Sequence, residues 1–256
     1  AAAFTVPVFD IDDDELQLQA RAASFALAAF DLHTGPLFNV ELWKRTSNTA
    51  DASDKRNEYI LAVNMHHIIS DGASVEVMLH EIVALYSAYA RGEANPLPPL
   101  PFQYADFAVW QRQWLQGDAL DAQINYWKQQ LLGVPVLELP ADFARSSTQN
   151  PAGKQFTFAF SETLSQQLRD LAQRNGATLY QTLLAAFQLL LARLSRQDDI
   201  AVGSPIANRT QPELEPIIGF FVNTLVLRSQ INADAVFTDF LTQVKQTTLD
   251  AYQHQD

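Results

Sequence analysis

A short run of residues in the first third of the sequence has the side chains needed for proton transfer. From His66 to Gly72 the letters are HHIISDG, and the run lies between a predicted strand and a predicted helix. The ordinary pKa of an imidazole lies near neutral pH, so one of these histidines can take the proton from an attacking amine. The backbone N–H groups where the helix begins can receive the oxyanion of a tetrahedral intermediate. The run therefore predicts acyl transfer.

The two histidines cannot share one task, because neighbouring side chains of an extended segment point to opposite faces. We expect one ring to face the packed interior and the other to face an open surface. The positive end of the helix macrodipole, near Asp71 to Ala73, favours an unprotonated imidazole at that surface.

Two other interpretations of the run remain open. A metal site would need His-x-His on a strand, His-x-x-x-His on a helix, or ligands from elsewhere in the chain. In a structural interpretation, His66 and His67 are both hydrogen-bonded core or rim residues. A covalent acyl-enzyme is poorly supported, because the sequence contains no Gly-x-Ser-x-Gly and no cysteine. We therefore predict direct attack by a bound amine and no metal.

Hydrophobic periodicity predicts the elements that position this run. In the first half, a helix begins at Asp12–Glu15, strands follow at 37–43 and 58–65, and helices follow at 73–89, 104–115 and 118–132. The near-continuous apolar run of the second strand predicts burial on both of its faces.

A segment rich in proline and serine, residues 140–153, is the predicted boundary between two lobes. Beyond it we predict a strand at 155–160, helices after Ser161 and Thr178, strands at 200–207 and 220–228, and a helix at 236–254. Because both lobes mix strands with long helices, the predicted fold class is α/β, a mixed sandwich formed twice.

The composition argues against several classes of protein. Hydrophobic residues make up 48% and charged residues 18%, which is typical of a folded globular chain. A formal net charge of −12 argues against a nucleic-acid partner. No apolar run reaches the length of a membrane span, since the longest candidate, 179–194, is interrupted by polar residues. With no cysteine and no basic signal-peptide region at the start, we predict a cytoplasmic protein without a membrane partner.

Three further features have ordinary interpretations. The acidic blocks at 12–15 and 197–199 are interpreted as solvated turns rather than cation sites. The aromatic residues of the two middle helices are predicted to pack in the core or between lobes rather than to form a stacking platform; they are Trp110, Trp114, Tyr126 and Trp127. Ser204 is interpreted as a strand-end residue rather than a nucleophile.

The run from Met65 to Gly72 resembles the HHxxxDG signature of condensation domains of nonribosomal peptide synthetases, which other chloramphenicol-acetyltransferase-like acyltransferases share. Three further stretches make the resemblance specific. Residues 104–110 resemble the family's YxDFAVW motif, residues 218–224 its IGxFVNT motif, and residues 254–256 the start of its HQD-P-F-E motif. The resemblance covers essentially the whole chain. The family's two early motifs, including RHExLR, and its last motif would lie before Ala1 and after Asp256.

The resemblance implies two chloramphenicol-acetyltransferase-like lobes that form a V with a central tunnel. Residues 1–139 would be the remainder of the N-terminal lobe, residues 140–153 the linker, and residues 154–256 the first part of the C-terminal lobe.

It also implies an acyltransferase that forms an amide (peptide) bond between a donor acyl or peptidyl thioester and an acceptor aminoacyl thioester. Both substrates would arrive on the phosphopantetheine arms of upstream and downstream peptidyl carrier proteins, beside an adenylation domain. The domain itself would bind no cofactor. The alternatives are an epimerization domain of the same fold and a non-catalytic recruitment platform.

Carried over by position, the resemblance assigns a role to each residue of the site. His67 is the catalytic histidine, as the base or as an orienting group, and the backbone of Gly72 faces the substrate. His66, Asp71 and Arg209 are structural, with Arg209 the predicted ion-pair partner of Asp71. Four residues are placed along the substrate channel: Ala73, Ser74, Phe221 and Asn223. Ala73 stands where the family commonly has tryptophan.

Overall fold

The structure is a computed structural model that describes residues 5–11, 14–46, 57–143, 148 and 153–256. The chain divides into two compact units, Ala1–Tyr104 with Arg209–Phe221, and Ala105–Asn208 with Val222–Asp256. The predicted lobes, 1–139 and 154–256, divide the chain at a different place. Part of the predicted linker, residues 144–147 and 149–152, lies outside the described residues. The lobe boundary therefore stays a prediction.

The first unit contains a three-stranded sheet in the order β1-β2-β3, formed by β1 (Val8–Ile11), β2 (Phe38–Thr46) and β3 (Asn57–Met65). Strand β1 is parallel to β2, and β2 is antiparallel to β3 with Phe38 opposite Met65. The short β1 was not predicted from the sequence. The ladder continues past the end of β3, since the His66 N–H donates to the carbonyl of Leu37 (3.0 Å). The sheet thereby fixes the start of the HHIISDG run.

Strand β3 is less buried than its apolar sequence predicts. Tyr59 and Leu61 are exposed, and in the described part of the chain the only strand paired with β3 is β2. The prediction of burial on both faces is therefore wrong for this structure, because a strand is covered only where neighbouring elements pack against it.

The first unit also contains two long helices, α1 (Glu15–Ala26) and α2 (Gly72–Ala90), and each is capped by the aspartate that precedes it. The carboxylate of Asp14 accepts from the N–H of Leu16, and that of Asp71 accepts from the N–H of Ser74. Such caps satisfy N–H groups that have no partner within the helix. Helix α2 ends before Gly92, whose φ of +73° suits glycine.

The second unit consists of five helices and a two-stranded sheet in its described residues. The helices are α3 (Tyr104–Trp114), α4 (Gly117–Gln130), α5 (Glu162–Arg174), α6 (Leu179–Ser195) and α7 (Phe237–Gln253). Strands β4 (Asp199–Ile206) and β5 (Asn223–Gln230) pair antiparallel. The helices predicted after Ser161 and Thr178 are present, and both residues cap them, with Gln181 completing a capping box at Thr178. Side chains from α6, β5 and α7 form the core: Leu184, Ala185, Leu225, Leu227, Phe240, Leu241, Val244 and Ala251.

Two predicted strands differ from the structure. Residues 155–160 form no strand, and Phe156 and Phe158 are strongly exposed. Alternation predicts the two faces of a strand, but a strand also needs a hydrogen-bonded neighbour. The strand predicted from Phe220 begins instead at Asn223, because the N–H groups of Gly219 and Phe221 are bonded to side chains of the first unit.

The aromatic residues of α3 and α4 have different surroundings. Trp110 and Trp114 stack on each other, 5.6 Å apart and 7° from parallel, and both are exposed, so neither is a core residue, and their packing between lobes stays a prediction. Trp127 packs against the core, and its indole N–H donates to the carbonyl of His254 (2.8 Å). Tyr126 stacks on the ring of His254 at 3.9 Å.

No single helix within the described ranges is long and apolar enough to span a membrane, although α5 and α6, bent by 103°, pass that test together by length and composition. The cellular compartment stays a prediction.

The acidic blocks divide into different roles. Asp12 and Asp13 lie outside the described residues, Asp14 caps α1, and Asp198 is exposed. Asp199 is not a solvated acid as predicted. It forms a bidentate ion pair with Arg228, with distances of 2.8 and 2.6 Å. The hydrogen bonds from Arg228, opposed by burial, lower the pKa of Asp199.

Replacing Arg228 by methionine is expected to lower the free energy of unfolding by about 1.5–3 kcal/mol, the range for hydrogen bonds to charged groups. The guanidinium also donates to the carbonyls of Gln130 and Leu132 at the end of α4 (2.9 Å each). Because the pKa of Asp199 is lowered by folding, the difference between the two proteins should be complete above about pH 4 and should shrink as the pH falls below it. Urea denaturation at pH 7 and pH 3 measures this, with the exposed Arg193→Met as the matched control.

Candidate active site

His66 holds the turn that joins β3 to α2. Its backbone is extended (φ −69°, ψ 135°), and its Nδ1 accepts a hydrogen bond from the N–H of Ile68 (3.0 Å). A single 3-10 turn follows, His67–Ile69. The ring of His66 is half-buried and packs edge-on against Phe30 at 5.9 Å. These contacts make His66 a cap of the turn.

His67 lies at an open surface, and its Nε2 has no hydrogen-bond partner among the described residues. The residue is exposed, and its Nδ1 lies 2.7 Å from the carbonyl oxygen of Ser70. Because a carbonyl oxygen can only accept, Nδ1 carries the proton of the neutral ring and Nε2 is left as an unprotonated base. The ring also contacts Phe220 edge-on, with centroids 5.4 Å apart. One half-buried and one exposed ring is the arrangement that the sequence predicts.

An open cleft of about 620 Å³ lies beside His67 in the first unit. Its walls are mostly apolar and come from β3 and α2: Leu61, Val63, Asn64, Met65, Val75, Met78, Leu79 and Ile82. Its polar end is formed by His67, Ser70, Asp71 and Gly72. Within the part of the chain that the structure describes, no group of three metal-binding side chains comes together.

The start of α2 lies at that polar end. The first N–H groups of a helix have no acceptor within the helix, and here the carboxylate of Asp71 takes that of Ser74. The N–H groups of Gly72 and Ala73 make no hydrogen bond to a described residue. Gly72 is exposed, and a Cβ at its position would meet nothing within 4 Å. The helix start therefore has room for a negatively charged oxygen.

A buried ion pair between Asp71 and Arg209 lies directly behind this helix start. Arg209 Nη2 is 3.2 Å from Asp71 Oδ1, and the two side chains are only 6% and 4% exposed. The second carboxylate oxygen accepts from the N–H of Phe221 (2.9 Å). Burial opposes ionisation, but hydrogen bonds from Ser74 and Phe221 and the charge of Arg209 outweigh it and lower the pKa of Asp71. The predicted pairing is present in the structure.

Arg209 connects the pair to the loop that contains it. Its Nη1 donates to the carbonyls of Leu214 and Ile217, the latter at 2.7 Å, and its guanidinium lies 4.2 Å from the centre of the Phe221 ring. One side chain thereby ties both ends of residues 209–221 to the start of α2.

The hydroxyl of Ser74 is a second junction in the same network. Ser74 Oγ accepts from the Gly219 N–H (3.0 Å) and from Arg209 Nη2 (3.0 Å). Its single proton can be donated to Asp71 (2.7 Å) or to the Gly219 carbonyl (2.8 Å). Ser74 is 0% exposed and all its hydrogen-bonding capacity is used, so it does not line an open channel as predicted.

Phe221 is also buried, at 3% exposure, and its predicted place along an open channel is likewise wrong. Its ring packs between the Arg209 guanidinium and the ring of Tyr104. Ala73 is half-buried in the first turn of α2. Asn223 belongs to the second unit, where its amide donates to the carbonyl of Gln255 (2.8 Å). The functional roles of Ala73 and Asn223, and those of His67 and Gly72, stay predictions.

Tyr104, Gly219 and Phe220 are site residues to which the sequence analysis gave no role. The Tyr104 hydroxyl donates to the carbonyl of Phe220 (2.8 Å). Burial and the nearby charge of Asp71 raise the pKa of Tyr104, so this hydroxyl stays protonated as a donor. Tyr104 lies in the YxDFAVW stretch, and Gly219 and Phe220 lie in the IGxFVNT stretch. Membership of these two motifs is the feature of the sequence that could have indicated them as site residues.

Replacing Gly219 by alanine is expected to lower the free energy of unfolding by about 1–3 kcal/mol through overpacking. A Cβ at Gly219 would lie 2.1 Å from Cδ2 of Tyr104 and 2.7 Å from its Cγ, atoms of a rigid ring. Urea denaturation measures the loss. In a Tyr104→Ala background the same substitution should cost clearly less, which tests the proposed clash. Gly153→Ala, with open space at its Cβ position, is the matched control.

Comparison with protein families gives one match over the full length, as the family model of the condensation domain covers residues 1–256. Among curated proteins, malpinin synthetase of Mortierella alpina is 43% identical over 245 residues, and tyrocidine synthase 3 of Brevibacillus parabrevis is 45% identical over 228 residues. The aligned parts are 95% and 89% of this chain but only 3% of each synthetase, so this chain spans a small part of these relatives.

Solved structures give the same result for the fold. The X-domain in a complex of the X-domain and OxyB from teicoplanin biosynthesis superposes with a TM-score of 0.83 at 26% identity, over 99% of this chain and 55% of that one. A four-domain nonribosomal peptide synthetase, holo-AB3403 bound to AMP and glycine, superposes with a TM-score of 0.79 at 24% identity, over 99% of this chain and 18% of that one. The mixed α/β fold is that of these proteins.

Proposed function

The chain belongs to the condensation-domain family, and from that membership we propose that it forms an amide bond between two thioester-bound substrates. The donor is an acyl or peptidyl thioester and the acceptor is an aminoacyl thioester, both held on phosphopantetheine arms of carrier proteins. Relatives such as malpinin synthetase are far longer than this chain, which matches 3% of that protein. An adenylation domain and carrier proteins are therefore its proposed partners.

The acceptor amine attacks the donor thioester carbonyl, and His67 Nε2 takes the proton that the nitrogen loses. The N–H groups of Gly72 and Ala73 receive the oxyanion of the tetrahedral intermediate. When that intermediate collapses, the carbon–sulfur bond breaks and the thiolate takes the proton back from the His67 imidazolium. The amide nitrogen then carries the acyl group, and a free pantetheine thiol leaves. Holding both arms at one site supplies proximity.

The observation that carries this proposal is the hydrogen bond between His67 Nδ1 and the carbonyl of Ser70. It leaves Nε2 of an exposed ring as the proton acceptor, beside a helix start where the N–H groups of Gly72 and Ala73 have no acceptor among the described residues. The Asp71–Arg209 ion pair also supports the proposal. It is buried, and it holds the start of α2 against residues 209–221.

The experiment uses the full natural protein with one donor-loaded and one acceptor-loaded carrier protein. The acceptor carries tritium at the α-carbon of its amino acid. Formation of the amide product without loss of tritium is expected. Release of tritium without amide would support an epimerization domain and would contradict the proposal.

A recruitment platform is the second candidate. One observation favours it: the chain superposes on an X-domain whose solved complex contains OxyB. In such a protein neither amide nor released tritium would be detected, and His67→Ala would leave partner binding unchanged.

A further inference from the structure

We propose that Phe220 is a positioning residue for His67, and that the hydroxyl of Tyr104 holds Phe220 in place. This inference rests on the proposed function of His67. In the described part of the chain, the His67 side chain has two directional contacts, the bond from Nδ1 to Ser70 and the edge-on contact with the Phe220 ring. The hydrogen bond selects the nitrogen, and the aromatic contact limits the rotation of the ring about that bond.

The backbone around Phe220 is fixed on both sides. Before it, the N–H and carbonyl of Gly219 both contact Ser74 Oγ (3.0 and 2.8 Å). After it, the N–H of Phe221 donates to Asp71 (2.9 Å). The carbonyl of Phe220 itself accepts from Tyr104 (2.8 Å). The three residues therefore have little freedom, and the Phe220 ring starts from a fixed Cα.

The ring is nevertheless 39% exposed, although Phe221 beside it is 3% exposed. The packing of the loop explains the buried ring, which lies on Arg209 and Tyr104. The packing of the loop does not explain the exposed ring of Phe220. Among the described residues this ring contacts the ring of His67, and the two ring planes are 84° apart. An edge-on aromatic contact biases a ring orientation by about 2- to 12-fold. A rigidly held aromatic ring against an exposed histidine is the arrangement expected of an orienting contact.

The test uses the full natural protein and loaded carrier proteins. Phe220→Ala is expected to lower kcat by about 2- to 12-fold, the orientational bias that is lost with the aromatic contact, and to leave KM within about twofold. Phe220→Tyr keeps the ring edge and should restore most of kcat. Phe220→Leu keeps the apolar volume without the ring and should resemble Phe220→Ala. Phe158→Ala, a strongly exposed phenylalanine of the second unit, is the matched control.

A second measurement separates positioning from a general structural role. In protein labelled with ¹⁵N-histidine, the Nδ1–H of His67 should exchange with solvent about 2- to 12-fold faster in Phe220→Ala than in the wild type, and faster in Tyr104→Phe as well, because a freely turning ring loses the Ser70 bond more often. Unchanged kcat and unchanged exchange in Phe220→Ala, with His67→Ala inactive, would overturn this inference alone. Full activity of His67→Ala would overturn the proposed function instead.

Discussion

Replacing His67 by alanine in the full natural protein is expected to lower the rate constant of amide formation by about 100- to 10,000-fold, the contribution of a positioned general base. The substitution removes the only nitrogen base that the exposed corner offers beside the start of α2 in the described residues. Fold and stability should change little, because His67 is exposed and its side chain makes one hydrogen bond. Single-turnover assays with preloaded carrier proteins measure the amide step without the loading reactions.

His80→Ala is the matched control for this substitution, since His80 is an exposed histidine on α2 itself. Its rate should lie within twofold of the wild type. A His67→Ala protein that forms amide at the wild-type rate would remove His67 from the chemistry.

Replacing Asp71 by asparagine is expected to destabilise the first unit by about 3–5 kcal/mol, because it leaves the buried charge of Arg209 without its counter-ion. The amide oxygen of asparagine replaces only one of the two carboxylate oxygens. Either the N–H of Ser74, which is bonded to Oδ1, or that of Phe221, which is bonded to Oδ2, then faces an NH₂ group that cannot accept a hydrogen bond. Hydrogen exchange at these two N–H groups, measured by mass spectrometry on the full natural protein, reports the opening of this network. It should accelerate by about 100-fold or more.

The effect of Asp71→Asn should depend on pH in a defined direction. Folding lowers the pKa of Asp71, so the stability from its charged form is complete above the unfolded pKa of about 4 and is lost as the pH falls through the lower folded value. The difference between wild type and variant should therefore be full at pH 7 and smaller at pH 3. Asp121→Asn, at an exposed position of α4, should change exchange by less than about twofold. Equal exchange of wild type and Asp71→Asn at pH 7 would show that the pair does not hold the network.

Local signals in the sequence predict much of the fold. The helix starts at Asp14, Asp71, Ser161 and Thr178 were predictable because a cap and its helix are neighbours in the chain. The turn at His66 and His67 was predictable for the same reason, since the strand β3, this turn and the helix α2 are consecutive in the chain.

The rest depends on contacts between residues far apart in the chain. The resemblance placed Ser74 along the substrate channel, but its hydroxyl bonds to Gly219, 145 residues later, and is buried there. The same bond, with that of Phe221 to Asp71, prevents residues 219–221 from joining β5. Alternation at 155–160 predicted a strand, and periodicity alone could not show whether a neighbour pairs with it. The role of Tyr104 depends on a loop more than a hundred residues away, so the YxDFAVW stretch marks this residue but does not indicate its partner.

The distance from His67 Nε2 to the acceptor nitrogen tests the central claim most directly. It can be measured in a crystal structure of the full natural protein with a carrier-bound acceptor amine and a non-reactive donor thioester analogue. We predict about 2.6–3.2 Å between the two nitrogens, with the donor carbonyl oxygen at the N–H groups of Gly72 and Ala73. A bound amine with His67 Nε2 turned away from it, or covered by packed side chains, would contradict the account.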